Sequence, residues 1–325
     1  MGDPPGHQAA RSTKPDQDVM IHPMATPSPT SAAISARGLT KRYGSTVALD
    51  SLDLSIPPGE VYGFLGPNGS GKTTTIRLLL GLQRPTSGTA QLFGSDAWRN
   101  PVGVHRKVAY VAGEPQLWPA LTGWECLQFL GRLHGSIDDA YRQALIERFH
   151  FERHKLVRDY SKGNRQKIQL IAAFATRPEL LILDEPTSGL DPLMEAAFRD
   201  TVAEARTDGC TVFLSSHILS EVEALCDRVG ILSQGKLVEE GTLGELRHLS
   251  QHVVEATFAG EPPTIDLPGV TVQRAGPAAL HFNVRGSVGD LIDALAGTGV
   301  VSLVSREPSL EELFLAHYGR GPGSG

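Results

Sequence analysis

Residues 66–73 (Gly-Pro-Asn-Gly-Ser-Gly-Lys-Thr) lie between a compact apolar run at 61–65 and a strongly apolar, helix-like stretch at 73–82. The spacing G-x-x-x-x-G-K-[ST] narrows the possible folds, because a strand has to deliver such a loop and a helix has to leave it. Glycines at these positions let successive backbone N–H groups turn inward and cradle phosphate oxygens. A helix starting at Gly71 aims its positive dipole end at the same place. Lys72 adds a compact charge for the β- and γ-phosphates, and the Thr73 hydroxyl suits Mg2+. A chance glycine-rich turn would lack the flanking strand and helix, so the candidate nucleotide-binding residues are Gly66, Pro67, Asn68, Gly69, Ser70, Gly71, Lys72, Thr73 and Thr74.

A second apolar run, 180–183, ends in Asp184 and Glu185. A buried strand holds its last residues rigidly, and neighbouring side chains on a strand point to opposite faces. Asp184 can then hold a divalent cation while Glu185 polarises a water for in-line attack on a phosphate. By themselves two acids ending a strand are equally well ordinary edge charges. A further strand at 211–215 and a helix through 221–226 continue the alternation of strand and helix, which predicts a parallel sheet. Residues 114 to about 178 read as mainly helical.

With 325 residues the chain is long enough for one large domain and a smaller one. The expected division is a disordered tail at 1–34, rich in Pro, Ser, Thr and Ala, a main domain at 35–244, a small α+β domain at 245–319 and a flexible tail at 320–325. In the small domain, strands are expected at 252–258, 270–273, 279–284 and 300–304, and helices at 291–295 and 310–316. The net charge of −6 and the absence of any lysine- or arginine-rich run argue against nucleic acid as a partner. Cys126, Cys210 and Cys226 are too few and too dispersed for a disulfide framework or a zinc site, which fits a reducing compartment. No apolar stretch approaches the roughly 18 residues needed to cross a bilayer, so membrane work would need a separate anchoring chain.

Taken together, residues 66–73, Asp184-Glu185, 188–191 and His217 resemble the ATP-binding subunits of ABC transporters, over about residues 36–240 and most specifically in the run LLILDEPTSGLDP. The resemblance implies an α/β P-loop ATPase domain, a parallel-sheet core with a helical subdomain at about 114–178, that binds ATP with Mg2+ and closes as an ATP-dependent dimer, with itself or with a second ATPase subunit. Lys72, Glu185 and His217 would be catalytic, with His217 sensing the γ-phosphate, and Ser188 and Asp191 would communicate between subunits. Thr73 and Asp184 would hold Mg2+. Tyr43 matches the aromatic on which adenine stacks; otherwise it is a half-buried strand tyrosine. The signature segment offered to the opposite subunit's ATP, usually Leu-Ser-Gly-Gly-Gln, corresponds to Tyr160 followed by Ser161, Lys162, Gly163 and Asn164. Read in isolation, these residues make a helix-capping turn. Gly113 stands where the family carries a glutamine, leaving Glu114 or Gln116 as substitutes, and a glutamate can ligate Mg2+.

In the family the helical subdomain grips the permease, and Trp118, Trp124, Phe129 and Leu130 are candidates for that groove or for core positions. The C-terminal run Glu-Pro-Ser-Leu-Glu-Glu-Leu-Phe (307–314) resembles the extension of drug- and antibiotic-efflux ATPases. The expected role is therefore the motor of an exporter, held at the cytoplasmic face of the membrane by an integral-membrane permease. The alternatives are an importer motor and a permease-independent ATPase acting on ribosomes or DNA; the single phosphate loop and the lack of a heptad run disfavour the latter.

Overall fold

The computed structural model describes residues 32–135, 137–248, 252–284 and 287–306. Residues 1–31, the helix expected at 310–316 and the tail expected at 320–325 lie outside the described residues. Ala33 and Ile34 are fully buried, so the end of the segment 1–34 belongs to the fold.

Strands β1 (Ile34–Tyr43) and β2 (Thr46–Ile56) pair antiparallel around a turn at Gly44, where φ is 58°. Strand β3 (Val61–Leu65) runs through the glycine-rich loop into α1 (Lys72–Leu79). Strands β4 (Ser87–Leu92) and β5 (Ser95–Asp96) complete an antiparallel sheet ordered β2-β1-β4-β5. Helix α2 (Pro101–His105) leads to β6 (Val108–Val111), followed by α3 (Gly123–His134), α4 (Asp139–Arg148) and α5 (Lys162–Ala175). Next come β7 (Leu180–Asp184), α6 (Pro192–Thr207), β8 (Thr211–Ser216), α7 (Leu219–Leu225), β9 (Arg228–Ser233) and β10 (Lys236–Thr242). They build a sheet ordered β10-β9-β3-β8-β7-β6, parallel except for β10. After α8 (Leu243–His248), strands β11 (His252–Phe258), β12 (Val270–Gly276), β13 (Ala279–Val284) and β14 (Val300–Arg306) form an antiparallel sheet ordered β12-β13-β11-β14, with α9 (Gly289–Leu295) before the last strand.

The parallel sheet follows from composition: β3, β7 and β8 are buried at every position, as strands covered on both faces must be. Along β7 the period of two divides the side chains between layers. Leu181 and Leu183 join the core beneath α3, α4 and α5, while Leu180 and Ile182 join the one shared with β1, β2 and α1. A third cluster, Val254, Phe258, Phe282, Leu291 and Leu295, belongs to the C-terminal sheet and α9.

The stretch 114–178 is less helical than its apolar repeats predict. Residues 114–122 are non-helical, with Pro115 and Pro119 removing backbone donors, and 149–161 carry only the short 3-10 turn Val157–Asp159. His150, at φ 44°, turns the chain out of α4.

Candidate nucleotide-binding and hydrolysis site

The parallel order brings the carboxyl ends of β3, β7 and β8 to one edge, where open α/β sheets carry their ligands. The phosphate loop leaves β3, and its glycines are required by space. A Cβ at Gly66 would run into the Ser70 hydroxyl and lie 2.5 Å from Leu232 O; at Gly71, with φ 115°, it would lie 2.6 Å from Ala48 O. No side chain caps α1, so its N-terminal end is open to an anion. Lys72 is buried, its Nζ donating to Gly66 O (2.6 Å) and Pro67 O (3.2 Å) and lying 3.8 Å from Glu185 Oε1. Burial lowers its pKa, opposed by the charges of Glu185 and Asp184. The Ser70 hydroxyl is buried with no hydrogen-bond partner among the described residues.

Asp184 ends β7 and receives hydrogen bonds from Thr73 Oγ1 (3.2 Å) and Ser215 Oγ (2.5 Å). Glu185 departs from the sequence expectation in one respect: β7 stops at Asp184, and Glu185 has φ 47°. Its direction is set by left-handed backbone rather than by the pleat, a conformation unfavourable for a non-glycine residue and held here by Glu185 N donating to Ser215 O at 3.0 Å. The carboxylate thereby meets His217, whose Nδ1 is 3.2 Å from Oε1. Two adjacent pairs that are far apart in sequence, Lys72-Thr73 and Asp184-Glu185, thus meet, with His217 on the outer side.

Tyr43, at the end of β1, is 44% exposed, with its hydroxyl donating to Gln83 and Lys41 Nζ 5.1 Å from its ring centroid. Ser161 N-caps α5, accepting from Asn164 N at 3.3 Å. Its neighbours grip the segment after Glu185: Lys162 Nζ donates to Ser188 Oγ at 2.8 Å, and a Cβ on Gly163 would collide with Gly189 O. Asp191 N-caps α6, accepting from Met194 N at 3.0 Å. Among the described residues, no hydrogen bond or ion pair joins 161–164 to 66–74 within the chain.

A cleft of about 740 Å³ runs from Thr73, Asp184 and Glu185 past Gly113, Glu114 and Gln116 to Trp118 and Leu130. A Cβ on Gly113 would stand 3.1 Å from Asp184 O, tighter than most real contacts. Tyr110, on the cleft wall, has its phenol pushed up to about 12 by burial and by the charge of Asp184. Trp118 and Phe129 pack edge to face, centroids 4.6 Å apart, and stay 43% and 41% exposed. Trp124 does not line the cleft; its ring has the guanidinium groups of Arg142 and Arg153 at 4.5 and 4.8 Å.

Sequence reasoning passed over Ser215, Gln83 and Glu221. Ser215 holds both Asp184 and Glu185, and Glu221 takes hydroxyl hydrogen bonds from Thr187 and Ser216. The available signal was polar residues ending an apolar strand, the pair Ser215-Ser216 before His217.

The glycine cradle, the open helix end and the unpartnered Ser70 hydroxyl fit a phosphate chain. The Thr73 hydroxyl beside the Asp184 carboxylate is an all-oxygen donor set suited to a hard divalent cation. Residues 49–188 match the ABC transporter family. Among relatives, the bacitracin transport ATP-binding protein BcrA of Bacillus licheniformis is 35% identical over 306 residues, covering 90% of this chain and 99% of the relative. The daunorubicin/doxorubicin resistance ATP-binding protein DrrA of Streptomyces peucetius is 38% identical over 309 residues, covering 87% and 92%. A solved ATP-binding subunit of an ABC transporter superposes with a TM-score of 0.62 at 31% identity, covering 66% of this chain and 92% of the other. The chain therefore belongs to the ATP-binding subunits of ABC transporters, cassettes that bind and hydrolyse ATP and act with membrane permeases.

Proposed function

We propose that this chain is the motor of an exporter for a drug-like or antibiotic compound, working at the cytoplasmic face of the membrane through a separate permease. Two relatives spanning nearly the whole chain are named for bacitracin transport and for daunorubicin resistance, which supports export of such compounds. Among the described residues no helix is long and apolar enough to cross a membrane, consistent with a pore on another chain. Trp118 and Leu130 at the far end of the cleft, with the exposed Phe129 packed on Trp118, suit an apolar element of that permease.

The observation that carries the chemistry is the meeting of Lys72, Asp184, Glu185 and His217 at one sheet edge. Lys72, now donating to two loop carbonyls, transfers those hydrogen bonds to the β- and γ-phosphate oxygens. Tyr43 stacks on adenine, and the loop residues Gly66 to Thr74 wrap the phosphates. Thr73 and Asp184, with Glu114 as a further oxygen ligand, would hold Mg2+, which neutralises phosphate charge when bound. Glu185 orients water opposite the β–γ bridge and accepts its proton as the oxygen attacks phosphorus and ADP leaves. His217, with Nδ1 3.2 Å from Glu185 Oε1, stands against the carboxylate and reads the γ-phosphate. Among the described residues no hydrogen bond or ion pair joins the Ser161–Asn164 end of α5 to its own phosphate loop, and this helix N-terminus, capped by Ser161, suits the ATP of a second subunit. Ser188 and Asp191 then report across the dimer.

The test is a pull-down of tagged Glu185→Gln protein from detergent-solubilised cells in MgATP, with co-purifying chains identified by mass spectrometry. A stoichiometric polytopic membrane protein is the expected partner. Ribosomal or DNA-repair proteins in its place would overturn the transporter reading.

A further inference from the structure

Glu221, in the first turn of α7, is a carboxylate that the scheme above leaves unused. It is 8% exposed, and the groups it meets are equally hidden, Thr187 at 6% and Ser216 at 2%. One carboxylate oxygen accepts from Ser216 Oγ at 2.8 Å and the other from Thr187 Oγ1. Among the described residues it meets these two hydroxyls and no cation.

A buried carboxylate without a counter-charge is an unfavourable way to fill space. Packing of α7 does not need it: Val222 and Cys226 make the close contact with the strand below, at Gly63. What the carboxylate adds is two directional hydrogen bonds. Both go to segments that frame the reacting groups. Ser216 Oγ also accepts from Ile218 N at 2.9 Å, closing the turn that projects His217. Thr187 lies two residues past Glu185 and precedes Ser188, which is held by Lys162 at 2.8 Å.

We propose that Glu221 is a positioning residue for ATP hydrolysis, its two oxygens fastening the His217 turn to the 185–191 segment so that both hold one geometry around Glu185. The proposal rests on the assignment of Glu185 and His217 given above. It makes the segment leading to Ser188 and Asp191 and the turn carrying His217 a single mechanical unit, so a shift in one moves the other.

The test uses the purified full chain. Glu221→Gln keeps the size but replaces one acceptor oxygen by a donor, and Thr187→Val removes one hydroxyl without changing the volume. Glu221→Gln is expected to lower kcat at least about tenfold, with KM for ATP within about threefold and thermal midpoint within about 2 °C, since positioning acts on the chemical step. Thr187→Val should lower kcat comparably, and the double variant should be less than about twofold worse than either, the non-additivity of one shared unit. Retention of kcat by both Glu221→Gln and Glu221→Ala, a loss that merely tracks the unfolded fraction, or independent multiplication of the two effects would each overturn the proposal. Glu185→Gln in the same assay separates the levels. If it keeps turnover, the base assignment falls and this proposal with it; if it is inactive while Glu221→Gln and Glu221→Ala are both fully active, this proposal alone falls.

Discussion

Lys72 is buried, with two loop carbonyls accepting from its Nζ and two carboxylates whose charges oppose the lowering of its pKa by burial. On the proposed reading those hydrogen bonds pass to phosphate oxygens. Lys72→Ala should weaken ATP binding by at least about a hundredfold, since charge-assisted hydrogen bonds of about 1.5–3 kcal/mol each are lost, as read with a fluorescent nucleotide. Glu185→Gln should split the two functions, keeping nucleotide affinity while turnover falls about 10²–10⁴-fold, the range for removal of a general base. A variant with near-normal turnover would remove Glu185 from the base role. Gly163 is constrained differently, by the backbone of Gly189 where a Cβ would stand. Gly163→Ala should therefore displace the α5 end from the 188–191 segment and cut hydrolysis at least about tenfold while leaving Lys72-dependent binding intact, a cost in the overpacking range.

At the scale of elements, the caps are written locally and work locally. Thr122 and Glu125 form a reciprocal capping box at the start of α3, with Thr122 N donating to Glu125 at 2.7 Å and Glu125 N to Thr122 at 3.2 Å. The Thr122 backbone N–H, and then its hydroxyl, hold the Glu125 carboxyl below its ordinary value. A carboxyl depressed in the folded state contributes stability above its unfolded pKa and loses it as pH falls through the folded one. The thermal midpoint of Glu125→Gln should accordingly lie below that of the parent at pH 7, with the gap closing under acid conditions; a pH-independent gap would refute the capping contribution. Elements with strong local signals, such as β3, β7, β8 and α1, are legible in the chain as apolar runs bounded by turn residues. Strands β4, β5, β9 and β10 have no counterpart among the sequence expectations. β10 alternates partly buried and exposed residues at the sheet edge, and β5 is two residues long; their pairing comes from neighbours rather than from their own pattern.

Across the whole molecule, two cores flank the parallel sheet, and a third belongs to the C-terminal sheet. Phe282 is fully buried in that third cluster. Phe282→Ala should destabilise the C-terminal sheet by about 3–5 kcal/mol and leave nucleotide binding unchanged, seen as lost amide protection confined to β11–β14 in hydrogen exchange. Loss of protection in β3 and β7 as well would mean that the two cores unfold together.

Much of the candidate site could be read along the chain because its parts carry local chemistry. A glycine-rich loop before a lysine, two acids closing an apolar run and a histidine ending another are each contained in a few consecutive residues. Short-range spacing decides what each fragment can bind. What the chain could not display is the set of contacts that arm those fragments: Ser215 on Asp184, Glu221 across Thr187 and Ser216, Gly163 against Gly189, and the left-handed backbone that turns Glu185 toward His217. The hydroxyls that reach Asp184 come from 31 residues away for Ser215 and 111 for Thr73. Such pairings exist only after the parallel sheet has ordered β3, β8 and β7 side by side, because a hydrogen bond depends on separation in space and is blind to separation in sequence.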